Sequence, residues 1–402
     1  MTRRPLLGVG AVAFAIAVVA VSLVGSHPAP PQPGPSPDPG GQAAATARPT
    51  VVPIPGHEVF GFVPYWEMDA GIAADVAGLD LTTLALFSVT HAKDGAIDTK
   101  QAGYQRITGE IGKQLIREAH QRGTAVQLVY TSFGAAKNAR LFASLVLQDA
   151  IIAGLVAFVP TIGVDGIDVD IEGLDASLVP AYGAFVGRLR DALRTRMPKA
   201  KVSVATSAGR TGAAMAAAAV AAGADRIFLQ GYDYHYAGSD AGASAPMARR
   251  DGAEADLPWS LDLYASLGVP VERTVLGLPL YGMRWRVTGP EIGALPLGDG
   301  AIWVPADNPT FLAAPPIPPQ FDPLEVVEFY AVGPTVSPLP GDSRPSAGWQ
   351  AIYVDSPRTL TPKLLLADDR GLAGAGFWAI GYERGQAGYP DLINGFAAGT
   401  LK

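Results

Sequence analysis

The sequence predicts an α/β fold, a (β/α)8 TIM barrel with a small α+β insertion after the seventh strand. Short β-branched or aromatic runs alternate with Ala/Leu-rich helical stretches about eight times along the chain. Several of these runs are apolar throughout, as expected for parallel strands covered on both faces. The structural rival, an open doubly wound sheet, normally carries a phosphate-binding glycine fingerprint after an early strand, and none occurs here.

Taken in order, strands are expected at Val59 to Tyr65, Thr82 to Val89, Ala125 to Tyr130 and Gly166 to Ile171. Four more follow at Lys201 to Thr206, Arg226 to Gln230, Thr274 to Leu280 and Gly374 to Ile380. Helical patterns fall at Glu110 to Gln121, Arg140 to Val159, Leu178 to Arg196, Gly212 to Ala222 and Trp259 to Leu267. Two further ones are Thr361 to Arg370 and Asp391 to Ala397. Between about Met283 and Gly348 the rhythm breaks into Pro/Gly-rich sequence with strand-like pieces at Ala301 to Val304 and Val326 to Ala331. This is too long for an ordinary loop. Trp285, Trp303, Phe329, Tyr330 and Trp349 give it material for a core of its own.

The first 55 residues read differently. Arg3 and Arg4 precede an unbroken apolar run from Leu6 to Val24, near the roughly 20 residues that span a bilayer. Residues 1–26 are therefore expected to be a membrane anchor, or a signal peptide cleaved at Ala20-Val21-Ser22. Arg3-Arg4 fits a twin-arginine signal or an ordinary basic leader. Either way the rest of the chain is expected outside the cytoplasmic membrane, extracellular or in the cell envelope. Residues 27–55, rich in Pro, Gly, Ala and Ser, read as a linker. Residues 56–402 are then expected to form the barrel domain, with the insertion at about 283–348.

The 402-residue chain carries a formal net charge of −7 and no long basic run, which argues against nucleic acid as a partner. It has no cysteine, hence no disulfide, thiolate nucleophile or Cys-based metal site. Its five histidines show no metal-ligand spacing, so neither a metal nor an organic cofactor is implied. Oligomeric state is left open.

The chemistry concentrates in Asp165-Gly166-Ile167-Asp168-Val169-Asp170-Ile171-Glu172. On a strand, Asp168, Asp170 and Glu172 share one face, and Ile167, Val169 and Ile171 the other. The apolar set packs under the helices, so the acidic set points into the barrel, where a structural strand would carry Val, Ile or Leu. Burying an unpaired carboxylate costs several kcal/mol, comparable with a domain's stability margin. Crowded like charges also keep at least one proton bound near neutral pH. Glu172, the outermost, is the natural general acid, with Asp170 tuning it from behind. Residues 168–173 begin like a calcium loop, but the twelfth position is Val179 rather than the required Glu.

This stretch resembles the signature of glycoside hydrolase family 18, the chitinases and related N-acetylglucosaminidases. Gly61 to Trp66, Gln230 to Tyr234, Gly277 to Gly282 and Gly374 to Ala379 resemble that family's first, sixth, seventh and eighth strands. Two departures occur: Ser132-Phe133-Gly134-Ala135 stands for Ser-x-Gly-Gly, and Gln230 replaces a methionine.

The resemblance implies substrate-assisted catalysis, with the sugar's own 2-acetamido oxygen as nucleophile and retention of configuration. By the same resemblance Glu172 protonates the leaving oxygen, Asp170 orients the acetamido group, and Asp168 shares a proton or hydrogen bond with Asp170. Tyr232 donates its hydroxyl to the acetamido carbonyl, Asp233 helps hold a distorted ring, and Trp378 forms the floor. Tyr65, Trp66, Tyr234, Tyr281 and Trp285 lie beyond other strand ends as candidates for stacking on neighbouring sugars. His235 reads as a satisfied structural histidine. The implied substrate is an N-acetylglucosamine-containing polysaccharide, chitin-type or peptidoglycan. A glycan-binding protein without turnover is the alternative, disfavoured by the presence of Glu172.

Overall fold

The computed structural model describes residues 57–333 and 348–402. The expected anchor or signal at 1–26 and the linker at 27–55 lie outside the described residues, as does part of the insertion. The barrel strands are β1 (Glu58–Pro64), β2 (Thr83–Val89), β3 (Ala125–Phe133), β4 (Gly166–Glu172), β5 (Lys201–Ser207), β6 (Arg226–Gln230) and β7 (Thr274–Pro279). The insertion contributes β8 (Gly282–Val287), β9 (Ala301–Trp303), β10 (Gln320–Asp322), β11 (Val327–Val332) and β12 (Trp349–Val354), and β13 (Gly374–Trp378) closes the barrel. All barrel pairings are parallel, with β13 hydrogen-bonded to both β1 and β7. This is the expected (β/α)8 barrel.

Around it run α1 (Ile72–Ala77), α2 (Ala102–Thr108), α3 (Glu110–Gln121), α4 (Ala135–Phe142), α5 (Leu145–Ile162) and α6 (Val179–Arg196). They are followed by α7 (Arg210–Ala221), α8 (Leu257–Ser266), α9 (Pro309–Ala313) in the insertion, α10 (Pro357–Asp369) and α11 (Tyr389–Ala397). The helix expected from Arg140 to Val159 is two helices. Ser144 breaks it: its backbone is extended and its hydroxyl caps α5 by accepting from the Leu147 N–H. The short helices α1 and α2 had no periodic signal strong enough to announce them.

The barrel separates two apolar layers. Outward-facing strand residues such as Ile167, Val169 and Ile171 join Ile151, Leu155, Tyr182, Phe185 and Leu189 from α5 and α6 in one buried shell. Inside, Phe60, Phe62, Ala85, Phe87, Val129, Ala205, Phe228 and Val275 pack as a second cluster. Gly277 and Gly376 make room for the Phe228 ring there, since a Cβ at either would come within 2.6 Å of it.

The insertion is a five-stranded antiparallel sheet in the order β10-β11-β12-β8-β9. It takes in residues 349–354, so it extends past the expected boundary near 348. On β11 and β12 alternate residues serve two cores. Phe329, Ala331, Ala351 and Tyr353 join the main shell, while Tyr330, Val332, Ile352 and Val354 pack with Trp303.

Candidate active site

β4 shows the alternation its sequence dictates. Asp168 pairs in register with Val129 and Ser203, and Asp170 with Thr131 and Ala205. Register partners in a parallel sheet share a face, and Val129 and Ala205 belong to the lumen cluster. The two aspartates therefore point into the lumen, where Asp168 is wholly buried and Asp170 nearly so. Glu172 ends the strand, opposite Phe133. Its carbonyl is gripped by the turn after β3, accepting from the Gly134 N–H (3.0 Å) and the Asn138 side chain (2.6 Å). Asn138 is held in turn by the Ser132 hydroxyl (2.7 Å). Gly173 follows in the left-handed region (φ 70°), with the Gly134 backbone only 3.4 Å from where its Cβ would be.

Burial dominates the electrostatics. It pushes the Asp168 carboxyl up to about 7, against the hydroxyl of Ser203, which donates to its Oδ1 at 2.7 Å. Asp170 is driven well above the carboxylate range by burial and then by the charges of Glu172 and Asp168. Glu172 is raised by burial and by Asp233, and restrained by Gln230, whose side-chain amide donates to its Oε1 at 3.2 Å. Asp168 Oδ2 and Asp170 Oδ1 are shielded from solvent and have no hydrogen-bond partner among the described residues. Like charges so placed favour a proton held within the group.

The turn after β6 brings up Tyr232 and Asp233. Burial, then the charges of Asp170, Glu172, Asp233 and Asp168, keep the Tyr232 phenol protonated. Asp233 adopts a left-handed backbone (φ 59°) and is fixed by a closed ring of hydrogen bonds. Its N–H donates to Ser244 Oγ (3.0 Å), that hydroxyl donates to Tyr281 (3.2 Å), and the Tyr281 hydroxyl donates back to Asp233 Oδ1. On the other side, Trp378 sits above Phe62, edge to face with Phe87 (4.7 Å between centroids) and Trp66 (6.2 Å). Trp66 is 45% exposed, lies edge-on to Tyr65, and donates its indole N–H to Tyr382 (3.1 Å). The site is thus a floor of acids with a phenol at one edge and aromatic rings at another. Such a site can donate a proton and seat an apolar sugar face. Among the described residues no group of three or more His, Asp or Glu side chains could hold a metal ion.

The family model described as Glycosyl hydrolases family 18 matches residues 58–383. The chain belongs to this family. It is 24% identical over 216 residues to a probable chitinase 2 from Drosophila melanogaster, covering 52% of this chain and 44% of that one. It is also 26% identical over 291 residues to a probable endochitinase from Caenorhabditis elegans, covering 64% and 43%. The chain thus spans less than half the length of these curated relatives. Among solved structures, Ostrinia furnacalis Group IV chitinase in complex with allosamidin superposes with a TM-score of 0.69 at 19% identity, covering 85% of this chain and 97% of that one. The Bacillus cereus spore cortex-lytic enzyme SleL superposes with a TM-score of 0.65 at 17% identity, covering 87% and 75%. At these identities the structures establish the shared barrel.

Within this family 18 barrel the structure brings together Asp168, Asp170, Glu172, Tyr232, Asp233, Trp378, Tyr65 and Trp66. It turns three of the expected stacking residues to other work. Trp285, 2% exposed, packs edge-on to Tyr353 in the insertion sheet, because its strand directs it inward opposite Ala351. Tyr234 is buried with its hydroxyl donated to Ser260 (2.6 Å). Tyr281 is buried too, and acts on the site through Asp233 rather than by offering a ring face. Sequence reasoning passed over Phe133, 40% exposed beside Glu172 and stacked on Phe87. Its place at the end of an apolar strand was the available signal. Gln230, noticed only as a departure, proves to be a partner of Glu172.

Proposed function

We propose that this protein hydrolyses β-linked N-acetylglucosamine-containing glycans, with retention, by substrate-assisted catalysis. The observation that carries the reading is the buried acidic face of β4, with Glu172 outermost and the Tyr232 phenol beside it. A raised proton affinity keeps Glu172 protonated as a general acid. It gives its proton to the glycosidic oxygen as that bond to C1 breaks, while the substrate's acetamido oxygen bonds to C1 from the opposite face. Asp170 orients the acetamido N–H and balances the charge of the cyclic intermediate, and Asp168 behind it shares the proton between them. Tyr232 donates to the acetamido carbonyl. Water then attacks C1 as the bond from C1 to the acetamido oxygen breaks, and it gives up its proton to Glu172, so two displacements restore the configuration. Trp378 supports the reacting sugar, and Tyr65, Trp66 and Phe133 serve its neighbours.

Chitin-type oligomers and peptidoglycan both offer this linkage chemistry. The curated relatives are named chitinases and one structural neighbour is named for lysis of spore cortex, so both substrates belong in the test. We further propose that the enzyme works outside the cytoplasmic membrane, delivered by its apolar N-terminal run. The test is to incubate the full chain and Glu172→Gln with soluble N-acetylglucosamine oligomers and with purified peptidoglycan. Products are read by mass spectrometry and the newborn anomer by NMR. Cleavage with retention by the parent, lost in Glu172→Gln, supports the reading. Binding of these glycans without cleavage overturns it in favour of a glycan-binding protein.

A further inference from the structure

Asp233 sits in a left-handed backbone conformation, yet it belongs to a short turn with no sheet partner to hold it. What holds it is the hydrogen-bond ring through Ser244 and Tyr281. The Ser244 carbonyl also accepts the Tyr234 N–H (3.1 Å). Ser244 is therefore the pivot of the turn, and it lies in a long excursion between β6 and α8. Besides Tyr281, further contacts from outside that excursion bear on its position.

The insertion supplies them. Glu325, 1% exposed and just ahead of β11, receives the Ala243 N–H at Oε2 (2.6 Å) and the Arg250 N–H at Oε1 (3.1 Å). Its carbonyl accepts the Met247 N–H (3.2 Å). His235, equally buried, places Nε2 3.2 Å from Glu325 Oε1 and Nδ1 2.8 Å from the Asp240 carbonyl, so both ring nitrogens face oxygen acceptors. Gly242 lies so close that a Cβ there would be 2.5 Å from the His235 ring. Asp322, fully buried, pairs with Arg250 and accepts the Glu325 N–H (3.3 Å). The Glu325 carboxylate thus ties down residues 243 and 250 of the excursion, and its backbone carbonyl ties down residue 247. The next residue, Val326, is left in a left-handed conformation (φ 58°) that a β-branched side chain rarely adopts. A local preference is overridden there because Glu325 is bound at so many points.

We propose that Glu325 is a positioning residue for the active site: it anchors the excursion after β6 so that Ser244 holds Asp233 in place at the mouth of the barrel. This rests on the proposed role of Asp233 in holding the reacting sugar. It gives the insertion a part in the chemistry of a site to which, among the described residues, it lends no side chain of its own.

The test compares the full chain with Glu325→Ala, Glu325→Gln, Ser244→Ala and the double variant Glu325→Ala/Ser244→Ala. One readout is steady-state cleavage of N-acetylglucosamine oligomers. The other is hydrogen exchange at the Asp233 and Tyr234 amides, both donors to Ser244. Glu325→Ala is expected to lower kcat roughly tenfold or more with KM changed far less, as misplacement by a fraction of an ångström does. The two amides lose protection while those of the barrel strands keep it. Glu325→Gln, which keeps one acceptor oxygen, loses less. The double variant falls no further than the worse single, because both changes cut one chain of contacts. Should Glu325→Ala not fold, Glu325→Gln carries the same cycle with Ser244→Ala.

A Glu325 variant that melts earlier yet keeps both kcat and the two protected amides overturns the proposal. So does a double variant whose loss is the product of the single losses. If the parent chain cleaves no such glycan, the functional reading fails, and exchange at the two amides alone then decides whether Glu325 positions this turn.

Discussion

The lumen of the barrel is lined in two ways. β1, β2, β3, β5, β6 and β7 fill it with Phe60, Phe62, Ala85, Phe87, Val129, Ala205, Phe228 and Val275, whereas β4 brings Asp168 and Asp170. The apolar lining stabilises the fold by removing surface from water, about 25 cal/mol for each Å². The acidic lining opposes it, since every ionised group there forgoes hydration. Strands of one barrel, under one set of hydrogen-bonding rules, thus serve opposite ends. The lesson is that a stability deficit confined to one strand marks where chemistry is done.

If that division is right, changes on the two sides should move different observables. The largest effect is on the acidic side. Glu172→Gln should lower kcat by about three orders of magnitude, within the range of general acid catalysis, and leave the melting temperature nearly unchanged. A comparable loss of stability in that variant would break the comparison. On the apolar side, Phe60→Ala should destabilise the protein by about 3–5 kcal/mol in urea unfolding while the folded fraction keeps its kcat. Phe60 lies below the site, against Phe228.

Asp168→Asn should do the reverse of Phe60→Ala. The native carboxyl titrates near 7 against an ordinary value of 3.8, so between those values the native state binds a proton that the unfolded chain has released. Stability from this group is present below 3.8 and lost as pH rises toward 7. The variant should therefore be more stable than the parent at pH 8, by about 4 kcal/mol at the upper bound, and melt higher. The gain should vanish at acid pH, and thermal melts across the window would show it. If Asp168 serves Asp170 as proposed, activity should fall in the same variant.

The smallest effect sharpens the boundary between the two linings. Gln230 sits on β6 and donates to Glu172, favouring the charged form. Gln230→Met should raise the Glu172 pKa, so the acid stays protonated to higher pH. The alkaline limb of the kcat/KM profile should move to higher pH. A limb that moves down, or stays put, would mean that the amide is not a partner of the acid in solution.

Much of this was legible in the chain. The Asp168, Asp170 and Glu172 alternation follows from the period of a strand, and helix α3 begins and ends at the residues its pattern predicts. Legibility failed where a side chain could serve two masters. Tyr234 and Tyr281 look alike beyond their strand ends, but the first is spent on Ser260 and the second on Asp233. Trp285 looked like a platform and is core, because the strand that turns it inward was hidden in Pro/Gly-rich sequence. The break at Ser144 was readable in principle as an N-cap, but the apolar run on both sides masked it.

The sequence by itself determined the barrel, the acidic strand and the order of its three carboxylates, because these rest on periods of 2 and 3.6 that any local stretch obeys. Only the tertiary structure decided that Gln230 meets Glu172 across 58 residues, or that Glu325 reaches back 82 residues to Ala243. Those pairings depend on where a closed barrel and its inserted sheet place distant turns, and no local pattern encodes a distance through space.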